Sequence, residues 1–122
     1  MIRFVITHGK VVENMVNEEI IAIKDKLLIS VKPKKIYLFG SYARNTFTEE
    51  SDYDFYLVVS DDAGDKIELS QNAYKALRGI RKRPVDIIVG YESSFAIRKD
   101  EETLEKSVLS EGVLLYDESE NS

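Results

Sequence analysis

With 122 residues, the chain has the size of one compact domain, since single domains most often run to about 100–150 residues; its 43% hydrophobic and 32% charged residues exclude a disordered tail, a collagen-like chain and a coiled coil. Seventeen Lys and Arg against 22 Asp and Glu leave a formal charge of −5, which excludes nucleic-acid binding through general positive charge and requires locally placed cations or metal ions for any anionic ligand. There is no Cys and a single His, His8, so disulfides, thiolate catalysis, sulfur-bound zinc and multi-His metal centres are excluded and any metal must be hard and oxygen-bound.

No apolar run approaches the ~20 residues of a membrane helix. The first ten residues have too short an apolar stretch and too little charge ahead of it for a signal peptide. A cytoplasmic location without membrane contact is the expectation, with one domain over residues 1–122 and its core at about 13–117.

In chain order, residues 2–6 are a candidate strand. Residues 13–31 carry Val16, Ile20, Ile23 and Leu27 at steps of four, three and four, the stripe of an amphipathic helix, which Pro33 ends. Residues 35–39 and 55–59 are short apolar and aromatic runs that predict strands, the first closed by Gly40 and the second by an acidic loop over 60–65. Leu69, Ala73, Leu77 and Ile80 predict a helix over about 65–81. Pro84 then restarts the chain into a third strand, 85–89. A further helix is predicted from near Ser94 to Ser110 through Ile97, Leu104 and Val108, with Gly112 where a C-terminal cap glycine belongs. A short apolar segment, 113–116, and a polar tail follow. The pattern predicts an α/β (α+β) fold with a small mixed sheet of three to five strands and helices packed on it. A receiver-type domain of the same length is excluded by the lack of an acidic pair after an N-terminal strand and by too few strands.

The chemistry concentrates in residues 39–59. Gly40 and Ser41 leave a strand, so that glycine lets the backbone approach a ligand while exposed N–H groups and the Ser hydroxyl point at it, a phosphate cradle in outline. After ten intervening residues come Asp52 and Asp54, whose i, i+2 spacing at a strand start puts both carboxylates on one face and Tyr53 on the other. Two carboxylates that close repel one another, and a divalent metal stabilises both as anions. Asp86 stands one residue into an apolar strand, where burying an unpaired carboxylate is expensive, so it is expected to be buried and to share the same metal site. Three carboxylates beside a phosphate cradle suit Mg²⁺, which completes its shell with water and substrate phosphates. In a two-metal arrangement one ion activates an attacking hydroxyl while the other stabilises the leaving pyrophosphate. The reaction class is nucleotidyl transfer by in-line displacement.

These residues resemble the signature of minimal nucleotidyltransferases of the DNA polymerase beta superfamily: Gly-Ser, ten residues, Asp-x-Asp, then a third acidic residue on a later strand. Gly40, Ser41, Asp52, Asp54 and Asp86 match it in order and spacing, and the resemblance extends from about Lys35 to Tyr116. It implies a polymerase-beta-like fold, two Mg²⁺ ions bound by Asp52 and Asp54, and Asp86 on the acceptor-side metal and helping to deprotonate the acceptor. It further implies that Gly40 and Ser41 hold the triphosphate of ATP with Arg44 as a helper. Asn45 stands where many members carry Gly; Asn is the non-Gly residue that best tolerates a left-handed backbone. The resemblance also implies a partner, because minimal members are often encoded beside small helical HEPN proteins and act as antitoxins, some by transferring AMP to a Tyr of the toxin. The alternatives are transfer to a small molecule such as an aminoglycoside, with a homodimer or partner completing the pocket, and a contact-only antitoxin with a vestigial triad.

Other polar groups have plainer readings. Lys75, Arg78 and Lys82 share a helix face that could contact phosphate, yet such a run is more often a solvated face. Tyr37, Tyr53 and Tyr56 read mainly as core or rim, Tyr42 beside the Gly-Ser pair is the only tyrosine expected near a nucleotide, His8 is expected on the surface, and Glu49 and Glu50 read as loop residues able to tune metal affinity but not needed for it.

Overall fold

The computed structural model describes residues 5–7, 10–12, 17–40, 52–80, 83–98, 105–106, 108 and 112–120. A hairpin, β1 (Val5–Thr7) and β2 (Lys10–Val12), precedes helix α1 (Glu18–Ser30), followed by β3 (Lys35–Phe39), β4 (Tyr53–Val59), α2 (Lys66–Ala76), β5 (Val85–Tyr91), α3 (Glu92–Arg98), β6 (Val113–Asp117) and a 3₁₀ turn, Glu118–Glu120. The main sheet has four strands in the order β5-β4-β3-β6. β4 and β5 are parallel and α2 crosses between them, whereas β3 is antiparallel to both β4 and β6. This is the mixed sheet with packed helices that the pattern predicts, and the short apolar segment at 113–116 forms most of β6.

Alternation along the strands divides the side chains into two cores. Ile20, Ile23 and Leu27 of α1, Leu69 and Ala73 of α2 and Leu77 just after it pack on Ile36, Leu38, Tyr53, Phe55, Leu57, Val59, Val85, Ile87 and Val89. On the other face Tyr37, Tyr56 and Val58 meet Phe95 of α3 and Val108. Because β4 is an inner strand covered on both faces, 53–59 reads as an almost unbroken apolar run rather than an alternating one. The strand starts two residues earlier than 55–59 predicts, since Tyr53 is wholly buried and continues the pairing with β5.

Helix boundaries follow from capping. Asn17 accepts a hydrogen bond from the Ile20 N–H at 2.8 Å, starting α1; residues 13–16 of the predicted helix lie outside the described ones. Asn17→Ala is expected to cost about 1 kcal/mol in a urea unfolding titration, the usual worth of an N-cap side chain. α2 is shorter than predicted: Asp65 caps it by accepting from the Glu68 N–H at 3.1 Å, and after Ala76 the chain runs on in turns to Gly79, whose φ is +84. The acidic loop also has structural work, because Asp61 accepts the Ser93 N–H at 3.1 Å at the start of α3. That bond and the Ser93 hydroxyl hold its carboxyl below the usual range.

The helix predicted over 94–110 begins at Glu92 instead. Glu105, Lys106 and Val108 are also helical, and residues 99–104 lie outside the description. Gly112 does close this stretch, its N–H donating to the Val108 carbonyl at 2.8 Å. Its φ is not left-handed; glycine is required because a Cβ would overlap the Val108 carbonyl oxygen. Residues 2–4 and His8 fall outside the described part, while Val5–Thr7 is a strand. No helix among the described residues is long and apolar enough to cross a membrane.

Candidate active site

The antiparallel pairing of β3 with β4 carries the end of β3 to the start of β4, and the parallel pairing of β4 with β5 puts the start of β5 beside it. One end of the sheet therefore gathers Gly40, Asp52, Asp54 and Asp86 from three strands. Phe39 is the register partner of Asp54 across β3/β4, and Asp54 is that of Asp86 across β4/β5. Tyr53, Phe55, Val85 and Ile87 all enter the α1/α2 core, so Asp52, Asp54 and Asp86 belong to the opposite face, as the i, i+2 spacing predicts.

Gly40 has φ +74, a conformation in which a side chain is strained. A Cβ there would overlap the Asp54 carboxylate oxygen and stand 3.1 Å from its Cγ. Backbone and carboxylate thus touch at the point where a phosphate cradle and a metal ligand are expected to meet. Ser41, Tyr42, Arg44, Asn45, Glu49 and Glu50 lie outside the described residues.

Asp86 departs from the expectation. It is exposed, as is Ile88, while Val85, Ile87 and Val89 are buried. β5 is an edge strand covered fully on one face only, so the carboxylate pays no burial cost and needs no partner on that account. Asp52 is also exposed and Asp54 half-buried. Among the described residues no three carboxylates or imidazoles converge closely enough to hold a metal ion. In kind the donors fit a hard cation such as Mg²⁺, since all are oxygens; Asp54 and Asp86 are register partners, and like charges gain nothing by closing on one another without a cation between them. Lys75 and Arg78 are exposed on the α2 layer, across the sheet from the carboxylates; Lys82 lies outside the description.

Two polar features escaped the sequence. Glu105 is 9% exposed and accepts a hydrogen bond from the Tyr56 hydroxyl at 2.9 Å, beneath the face that carries Asp54. Gly90 makes room for that hydroxyl, which a Cβ would overlap. The signal was a Glu three residues before Val108 on the same helical stripe, and a glycine inside a strand. On the other face the Tyr53 hydroxyl is bonded to Glu19 and Asn17.

Comparison with known proteins agrees with this geometry. The family described as "Polymerase beta, Nucleotidyltransferase" matches residues 18–121. A protein of Methanocaldococcus jannaschii named "Putative protein adenylyltransferase MJ0604" is 35% identical over 104 residues, covering 85% of this chain and 97% of that protein. Among solved structures, one described as a toxin-antitoxin with AMP-PNP superposes with a TM-score of 0.54 at 28% identity, over 86% of this chain and 77% of the other. A nucleotidyltransferase of Sulfolobus solfataricus, itself described as putative, superposes with a TM-score of 0.55 at 23% identity, over 80% and 77% of the two chains, and so shares the fold. A signature laid across three adjacent strands and a family match that spans all three of them lead to one conclusion: the chain belongs to the polymerase beta nucleotidyltransferase family.

Proposed function

We propose that the protein is a Mg²⁺-dependent adenylyltransferase that moves AMP from ATP to a hydroxyl on a toxin partner of the HEPN type, and thereby acts as its antitoxin. The observation that carries the reading is the contact of Gly40 with Asp54 next to the Asp54–Asp86 register pair, because it sets a close-approach backbone beside the carboxylates that nucleotidyl transfer requires. The names of the relatives support the nucleotide and the partner: one is called a protein adenylyltransferase and another is a toxin-antitoxin with AMP-PNP.

In this reading Asp52, Asp54 and Asp86 hold two Mg²⁺ ions, which when bound neutralise the triphosphate and lower the pKa of the attacking hydroxyl. Gly40 and Ser41 hold the triphosphate through backbone N–H groups and a hydroxyl, helped by Arg44. Asp86, on the edge strand, faces the acceptor and takes its proton. The acceptor oxygen forms a bond to the α-phosphorus as the bond from that phosphorus to the pyrophosphate oxygen breaks, in line. The partner completes acceptor binding, and the 122 residues act as one domain.

The test is label transfer from each α-labelled nucleoside triphosphate with Mg²⁺, using the product of a neighbouring gene or host lysate as acceptor and Asp86→Asn as control. A protein band labelled from ATP and lost in the control is the expected result. Nucleotide binding without a labelled protein would favour a small-molecule acceptor, and no nucleotide binding would favour a contact-only antitoxin.

A further inference from the structure

The α1 side of the sheet carries a polar cluster that the transfer chemistry does not use. Tyr53 stands between Asp52 and Asp54, and its side chain is wholly buried on the face away from them. Its hydroxyl donates to Glu19 Oε1 at 2.7 Å and accepts from Asn17 Nδ2 at 3.2 Å. The Arg83 guanidinium lies 5.0 Å from the centre of the Tyr53 ring, and its Nε is 3.9 Å from the same Glu19 oxygen. The main chain adds a tie, because the Tyr53 N–H donates to the Pro84 carbonyl at 3.1 Å.

Packing alone does not call for this arrangement. A Phe would fill the core without a hydroxyl to satisfy, and a buried hydroxyl is tolerated only when it is bonded. What the cluster accomplishes is to join three separate stretches at one end of the sheet: the first turn of α1, the residue between Asp52 and Asp54 at the start of β4, and the two residues that precede β5 and Asp86. A metal site needs its ligands held to within about 0.5 Å, whereas a strand end tied only by its ladder is free to fray or slide.

We propose that Tyr53, Glu19 and Arg83 are positioning residues that hold Asp52, just before β4, and Asp54, on β4, in fixed relation to Asp86 on β5 for a divalent cation, acting from the opposite face of the sheet. The inference rests on the reading above in which these carboxylates bind metal. It makes Glu19 important to the site although it sits across the sheet from it.

The test titrates the protein with Mn²⁺ in the presence of a non-hydrolysable ATP analogue, reading free Mn²⁺ by electron paramagnetic resonance, with thermal unfolding of each variant in parallel. Tyr53→Phe and Glu19→Ala are expected to weaken Mn²⁺ binding about tenfold, the range seen when groups that orient metal ligands are removed. Glu19→Gln, whose amide oxygen still accepts from Tyr53, is expected to recover most of the loss. Should Glu19→Ala fail to fold, Tyr53→Phe keeps the ring in the core and carries the comparison. Lowered unfolding midpoints with unchanged Mn²⁺ affinity would overturn the proposal. Wild-type binding that disappears in Asp52→Asn but is unmoved by Tyr53→Phe would leave the metal reading standing and remove only the positioning role. A wild type that takes no Mn²⁺ would overturn both.

Discussion

Asp52→Asn is expected to lower nucleotidyl transfer by about a thousandfold or more, equivalent to ~4 kcal/mol of transition-state stabilisation, while leaving the unfolding midpoint of the metal-free protein unchanged or slightly raised. The two halves of this expectation have different causes. Asparagine keeps the shape of the side chain but offers a neutral amide where a charged oxygen ligand is needed, so the loss falls on the step at which charge develops on the phosphates. Stability is spared because Asp52 is exposed and lies on the same face as Asp54 and Asp86, whose like charges it no longer repels. Steady-state label transfer and a thermal melt on the same preparation check both. A large fall in the midpoint would mean that Asp52 has a structural role and would undercut its assignment as a metal ligand.

Gly40→Ala is expected to destabilise the fold by about 3 kcal/mol and to lower the unfolding midpoint by about 10 °C. Two costs add. A left-handed backbone costs an alanine about 1–2 kcal/mol, and Gly40 sits at φ +74. The new Cβ would also overlap the Asp54 carboxylate, and relieving such overpacking typically costs about 1–3 kcal/mol. The second part disturbs a proposed metal ligand directly, so activity should fall further than the folded fraction. A double-mutant cycle separates the two: in an Asp54→Ala background, Gly40→Ala should cost only the backbone part. An equal cost in both backgrounds would show that strain alone accounts for the glycine, and that Asp54 is not pressed against it.

Much of the fold was legible in the sequence because its signals are local. Ile20, Ile23 and Leu27 are the buried residues of α1, and the periodicity that marks them needs no knowledge of what they pack against. Lys35–Phe39 is a strand as its composition predicts. Gly40 at a strand exit and the i, i+2 spacing of Asp52 and Asp54 likewise belong to short stretches whose geometry the backbone dictates.

Asp86 was misjudged as buried for a reason that is equally physical. Residues 85–89 form an apolar run like 55–59, and composition does not distinguish an inner strand from an edge strand. The order β5-β4-β3-β6 does: β4 is covered on both faces, whereas β5 is left with Asp86 and Ile88 exposed on one. Tyr53, read as core or rim, is core, yet nothing near it in sequence announces Glu19, which lies 34 residues away. The Tyr56–Glu105 bond spans 49 residues and was invisible for the same reason.

By itself, then, the sequence singled out the residues to which the proposed chemistry is assigned: a cysteine-free chain with one histidine leaves a metal centre chiefly to oxygen donors, and Gly-Ser with Asp-x-Asp at a strand start is a pattern of neighbours. Only the tertiary structure decided that Asp54 stands beside Asp86 and against Gly40, that all three carboxylates share one face, and that a tyrosine network on the other face ties their strands together. Strand pairing joins residues far apart in the chain, and its register is settled by the packing of whole faces, which no single segment encodes.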